Sequence, residues 1–347
     1  MAFERSELKN DFGDPIGEAR SCREDCALFD FSFLECVRLR GPDALSVVEA
    51  FVRRPLATLT QGAIAYAIRT DSYGTALADL TVWRTGPDTF EVMSGRREDV
   101  WALMASAPAQ VEANDLGEAR VVFAVQGPGA LDALRELGRL ETASDLTYFR
   151  FAEVELAGVR CTVGRLGYTG EAGFEIILPR RESSRVWREL ARHSRPAGFV
   201  AMDALRIEAG FVLFANEFTL RVSPAELGLQ QFHSDRNPRA TGLKLVSFQA
   251  KADHLSLPWI GKSSAQRPRE PGIIAVTSAC NSTAAGGILG LGFITASTAD
   301  DAPLHDPSGE FREIRRTPRP FYDALKRRPR QPWRLSGGKT AHSRRRI

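Results

Sequence analysis

GRLGYTGEAGFEIIL, residues 164–178, sets Gly167, Gly170 and Gly173 three apart, with Tyr168 and Glu171 between them and Glu175 two residues past the last. Its second half, FEIIL, reads as a strand, so the glycine run is a loop that feeds a strand. A phosphate cradle needs the N-terminus of a helix behind it. The spacing G-x-x-G-x-x-G is also neither the dinucleotide nor the P-loop signature, and two carboxylates would repel a phosphate. Two readings remain. In one, the stretch is a turn between strands, with Tyr168 as packing and both glutamates solvated. In the other, the glycines let the backbone approach a ligand and Glu175 faces it. Glu175 alternates with Phe174 and Ile176 and so points to the opposite face of the strand. A carboxylate buried there requires donors, and a flat heterocycle with adjacent N–H groups would supply two.

Upstream, CALFDFSFLECVRLRG (26–41) is β-rich, and PDALSVVEAFVRR continues it as a helix opened by Pro42 and Asp43. The stretch 63–95 reads as three short strands separated by turns at Asp71–Gly74 and Gly86–Asp88. RREDVWALMASA follows as a helix. A strand, ARVVFAVQGPGA, then leads into another helix, ALDALRELG. RLRGPDAL (38–45) and FAVQGPGAL (123–131) share the order strand, Gly-Pro turn, helix, which suggests two related half-units. Downstream, SSRVWRELARH and residues 201–218 read as helices, 231–271 as loop-rich, and 272–294 as β-structure. Strands and helices without regular βαβ alternation give an α+β expectation.

A chain of 347 residues is long for one core. Its 43% hydrophobic and 26% charged content is that of a water-soluble globular protein, with no apolar run of membrane-spanning length. The start, MAFERSELKNDFGDP, lacks the apolar region of a signal peptide, so a cytoplasmic location is expected. The five cysteines are scattered without a C-x-x-C, and the five histidines show no H-x-x-x-H pairing, so no metal is expected. From Arg312 onward thirteen Lys and Arg face two acids, +11, which leaves −8 for the rest of a +3 chain. The last stretch, LSGGKTAHSRRRI, has no interleaved aromatics, so nucleic-acid binding is not expected and residues 334–347 read as a basic, disordered tail.

Taken together, CALFDFSFLECVRLRGPDAL (26–45), GAIAYAIRTDSYGTALADLTV (62–82), VVFAVQGPGAL (121–131), GYTGEAGFEI (167–176), DALRIEAGFVLFANEF (203–218), WIGKSSA (259–265) and VTSACNSTAAGGILGLGFI (276–294) resemble the aminomethyltransferase family. This is the family of the glycine cleavage system T-protein and its tetrahydrofolate-dependent demethylase relatives. The resemblance implies an α+β fold, a three-domain cloverleaf of antiparallel-sheet folate-binding domains closed by a C-terminal β-barrel. On this chain it implies a folate-binding region over 1–240 built of two interleaved subdomains, a linker at 241–271 and a barrel at 272–333. It implies tetrahydrofolate as cofactor, Asp79 as the catalytic carboxylate beside the reactive folate nitrogens, Glu175 as the pterin-binding glutamate, and Tyr66 and Tyr168 as pocket tyrosines. A lipoylated carrier protein or a small methylated molecule is the implied donor. The chain departs from the family where an aspartate pair is reduced to Ala78-Asp79 and where an arginine ahead of D-x-L-R-x-E is Met202. Asp203, Arg206 and Glu208 remain, and are read as structural or surface groups of a helix. An iron–sulfur maintenance accessory protein is the alternative. Its motif carries cysteine where Gly167 stands and glutamine where Glu171 stands.

Overall fold

The computed structural model describes residues 8–138, 145–234, 242–259 and 266–333. The basic tail 334–347 and most of WIGKSSA lie outside them. The first half of the chain forms β1 (Ala27–Asp30), β2 (Glu35–Arg40), β3 (Ile64–Thr70), β4 (Ala76–Gly86), β5 (Thr89–Ser94), β6 (Glu112–Asp115) and β7 (Arg120–Gln126). The second half forms β8 (Phe151–Leu156), β9 (Val159–Gly164), β10 (Gly173–Pro179), β11 (Arg195–Pro196), β12 (Leu243–Lys251), β13 (Ala275–Ser282), β14 (Gly287–Thr295) and β15 (Arg312–Thr317).

These strands make three sheets, antiparallel except where β1 meets β11. The first runs β11-β1-β7-β10-β9-β8 and the second β3-β4-β5-β2-β6. The chain leaves the first sheet after β1, builds the whole of the second, and returns at β7. CALFDFSFLECVRLRG is therefore two strands in two different sheets. The two Gly-Pro turns correspond closely: Gly41 at φ +141° and Gly127 at φ +130° each end a strand and launch a helix, Ala44–Val52 and Ala130–Arg135. A side chain at Gly41 would meet the Gln110 carbonyl at 2.6 Å, and one at Gly127 the Asp25 carbonyl, so only glycine fits either turn.

Alternation assigns each strand two faces. In the second sheet Ala65, Ala67, Leu80 and Val82 pack with Val48, Val52, Val100 and Leu103 from its own helices. The opposite face turns toward the first sheet: Ile64, Trp83 and Met93 join Phe29, Val122, Ala124 and Ile177 in one apolar cluster. The other face of the first sheet buries Phe174, Ile176, Leu178, Val125 and Val163 under Val186 and Leu190. The site lies on the two faces that look at each other.

Three expectations are corrected. Residues 201–218 are not one helix: the helix Phe199–Glu208 is buried along its whole length and stops where Gly210 takes φ +69°, a left-handed C-terminal stop, before a short turn of helix at Phe214–Glu217. The stretch 241–271 is not only a linker, because it carries β12, whose LKLVSFQAK is flanked by β14 and β15. The expected closed barrel is, among the described residues, a four-stranded sheet β13-β14-β12-β15 whose pairing ends at β13 and β15. Among the described residues no helix is long and apolar enough to cross a membrane.

Candidate functional site

β3 and β4 are antiparallel neighbours with Tyr66 opposite Thr81 and Ile68 opposite Asp79, so all four side chains share the inward face. Tyr66 and Asp79 are diagonal neighbours, and the tyrosine hydroxyl donates to Asp79 Oδ2 at 3.2 Å. The Tyr66 ring is fixed edge-on against Phe232 at 4.9 Å. Asp79 is half-buried. Burial pushes its carboxyl up from 3.8 to about 6, opposed by its own backbone N–H and by the Tyr66 hydroxyl. Asp79 is thus ionised at neutral pH but only marginally so, the state of a carboxylate able to stabilise a developing positive charge. Burial, and then the nearby Asp79 carboxylate, raises the Tyr66 phenol, so Tyr66 stays a donor.

Tyr168 joins this pair. Its hydroxyl donates to the Val212 carbonyl, its ring stacks on Phe211 at 5.8 Å and 11°, and it senses the charge of Asp79. Tyr66, Asp79 and Tyr168 are therefore brought together. Glu175 stands apart from them on the first sheet, opposite Ala124 of β7 and Gly164 of β9. Trp83 lies directly over Gly164, where any side chain would overlap its indole ring. Asp79, Thr81 and Trp83 alternate along one face of β4, so the strand spans roughly 13 Å from Asp79 to the ring beside Glu175.

Glu175 is 7% exposed, and among the described residues its carboxylate makes no hydrogen bond or ion pair. Burial alone pushes it from 4.5 to about 7. A buried carboxylate left without donors is costly. It is the one group here whose requirement a ligand with adjacent N–H donors would meet.

The glycine run works differently from its sequence reading. Side chains at Gly167 or Gly173 would collide with the side chain of Gln126, and one at Gly170, where φ is +79°, would meet the Ala209 methyl at 2.7 Å. The loop closes on the protein itself. Gln126 is fully buried; its amide donates to the Leu166 and Phe174 carbonyls at 3.1 and 3.3 Å and accepts from the Thr169 hydroxyl at 3.0 Å. Arg23 ties the same loop down through the Thr169 carbonyl at 2.9 Å, Glu171 at 3.1 Å and Glu208 at 2.7 Å. Glu171 is accordingly a structural ion-pair partner. Tyr168 and Glu175 are held on either side of this clamp.

Sequence reasoning missed the clamp and also an ionic network below the site. Arg206 is wholly buried, not a surface group. It donates to Asp203 at 2.8 Å, Glu217 at 3.0 Å, the Phe211 carbonyl at 3.1 Å and Ser278 at 2.6 Å. Burial works against its charge, but Asp203 and Glu217 outweigh it and raise its pKa. The charges of Glu217 and Arg206 both reach Asp79, the first raising and the second lowering its pKa. Asp203 and Glu208 are buried too. The D-x-L-R-x-E spacing carried the only hint, since i, i+3 places Asp203 and Arg206 on one helix face. Met202 is 2% exposed and packs in the cluster between the two sheets, so the position holds no polar group.

Comparison with known proteins gives a coherent set. The family model for the GCVT N-terminal domain matches residues 5–235. An aminomethyltransferase from Moorella thermoacetica is 31% identical over 246 residues, 68% of this chain and 67% of the relative. One from Thermotoga sp. (strain RQ2) is 26% identical over 329 residues, 90% of each chain. The solved structure of aminomethyltransferase T of the glycine cleavage system from Bartonella henselae superimposes with a TM-score of 0.69 at 22% identity over 84% of each chain, a likeness of fold.

Proposed function

The chain belongs to the GCVT family, that of the glycine cleavage T-protein and the aminomethyltransferases, and from that premise we propose that it transfers a one-carbon unit to tetrahydrofolate. The observation that carries the reading is Glu175, buried, without a partner among the described residues, and neighboured across the sheet by Ala124 and Gly164, with the Trp83 ring over Gly164. The pteridine edge presents adjacent N–H donors, and one carboxylate accepts both as a planar pair. Tetrahydrofolate, when bound, supplies the nucleophilic nitrogens that take the one-carbon unit. Asp79 then stabilises positive charge growing on nitrogen and, hydrogen-bonded to Tyr66, holds its orientation without reorganising. Trp83, Tyr66 and Tyr168 supply aromatic walls.

The T-protein reading extends to a lipoylated carrier as donor and a place in glycine breakdown, and the three sheets then correspond to three domains around the cofactor. Each sheet having its own apolar cluster supports that division. The accessory-protein alternative meets an obstacle at Gly167. A cysteine there would overlap the Gln126 side chain.

Calorimetry with tetrahydrofolate, followed by an assay for methylene- or methyl-tetrahydrofolate with an aminomethylated lipoyl carrier and with small N-methyl donors, tests the proposal. Micromolar binding is expected, and no binding to the wild type sinks it. Tyr66→Phe provides a finer check. Losing the hydroxyl removes one of the interactions that lower the Asp79 pKa, so the acid limb of the rate profile, expected near pH 6, moves up by about half a unit to one unit. An unmoved limb would show that Asp79 does not set it.

A further inference from the structure

On the far side of the first sheet from Glu175, the end of β9 meets residues 145–148 and the C-terminal segment 329–333 around a cavity of about 440 Å³. Arg135, Asp145, Tyr148, Arg165, Arg330 and Trp333 line it, all of them described residues. Three cations face one anion.

Arg165 is only 4% exposed. Its terminal nitrogens donate to the Leu146 carbonyl at 2.7 Å and to the Gln331 and Pro329 carbonyls, and its guanidinium lies 5.0 Å over the Trp333 ring. Among the described residues it has no carboxylate partner, and its buried Nε–H has no acceptor. Trp333 stacks on Phe174 at 5.0 Å and 17°, and its buried Nε1–H is likewise without an acceptor among the described residues. Buried donors are almost always satisfied in native proteins, so two buried, unsatisfied N–H groups on residues that line one cavity, beside a guanidinium with no carboxylate partner among the described residues, require an explanation. Burial lowers the Arg165 pKa, as expected for a cation lacking an anion. Arg330 lies 5.8 Å from the Tyr148 ring and makes no ion pair among the described residues, while Arg135 only meets Asp132 at 3.5 Å.

We propose that this cavity is an anion site: it takes the carboxylate or phosphate head of a small organic anion on Arg165, Arg330 and the Trp333 indole N–H, with the body of the ligand against Tyr148 and Leu146. Guanidinium is suited to either head, since its planar fork matches two oxygens. The site is separate from the Glu175 carboxylate and does not depend on what binds there. Tyr148 lines the cavity and also senses the Glu175 charge.

The test uses full-length protein with ¹⁵N-labelled indoles, whose five tryptophan signals are resolved and the Trp333 one assigned through Trp333→Phe. Glutarate and tri-γ-glutamate probe a carboxylate source, and inorganic phosphate and phosphoserine a phosphoryl source. The Trp333 Nε1–H signal is expected to move saturably with at least one class, with a dissociation constant of about 1 mM or lower. Arg330→Gln, at an exposed position that leaves the fold intact, is expected to weaken that response about tenfold. Arg165→Lys, which keeps the charge but loses Nε–H, is expected to weaken it as well. Whichever class moves the signal identifies the source. If neither class moves it, or if Arg330→Gln binds as the wild type does, the proposal is overturned. Tetrahydrofolate calorimetry on the same samples reports on Glu175 independently.

Discussion

Glu175→Gln is expected to weaken tetrahydrofolate binding by about 100- to 1000-fold at pH 8, measured by calorimetry. A carboxylate accepts two N–H donors at once, whereas the amide accepts one and confronts the other with an N–H of its own. Losing one charge-assisted bond and mispairing the second costs roughly 3–4 kcal/mol. The same substitution should stabilise the empty protein. Burial holds the folded Glu175 pKa at about 7, above its ordinary 4.5. Between those values the native state binds the extra proton, so stability falls as pH rises through the window, and the penalty is complete above about 7. Replacing the acid with a neutral amide removes up to roughly 3 kcal/mol of penalty at pH 8. Wild-type affinity should also rise with pH up to about 7 and then level off, because the ligand selects the carboxylate, while the glutamine variant shows no such slope. A variant that binds within threefold of wild type would remove Glu175 from the site.

Asp79→Asn is expected to lower turnover by about 100- to 1000-fold while leaving the tetrahydrofolate dissociation constant within a few-fold of wild type. The range is that of removing one preorganised electrostatic contact to charge that develops only in the transition state. Asparagine keeps the shape and can still accept from the Tyr66 hydroxyl, so the loss isolates the negative charge. Single-turnover transfer with saturating folate is the measurement. Unchanged turnover would take Asp79 out of its assigned role, and a collapse in folate affinity would make it a binding group instead.

Of the residues expected to carry the chemistry, Glu175 is singled out by a local rule as well as by the family resemblance, and Asp79, Tyr66 and Tyr168 by the resemblance alone. Alternation along FEIIL gives Glu175 its face, whereas the cross-strand pairing of Tyr66 and Asp79 is a finding of the structure. What could not be read was what those elements meet. The glycines of the opening loop are spaced for Gln126, some 40 residues away, and nothing in a glycine says whether a ligand or a protein side chain presses against it. Arg206 looked like an ordinary helix arginine because its acceptors, Glu217 and Ser278, lie outside its helix. β12 carries the alternation of a strand, but it sits in a stretch surrounded by turn-forming residues that reads as loop-rich.

The route of the chain through the first sheet also governs how the protein emerges from the ribosome. β1 pairs with β7 on one side and with β11 on the other, so its partners are synthesised roughly 100 and 170 residues after it. The second sheet, by contrast, draws all five strands from one continuous stretch between Glu35 and Asp115 and can close on its own. Vectorial folding therefore leaves ALFD waiting, an apolar strand with both edges open, while its successor sheet is already complete. A nascent chain stalled before Arg120 presents that strand to any other unpaired edge. The interval before β7 arrives is when this protein most needs a chaperone.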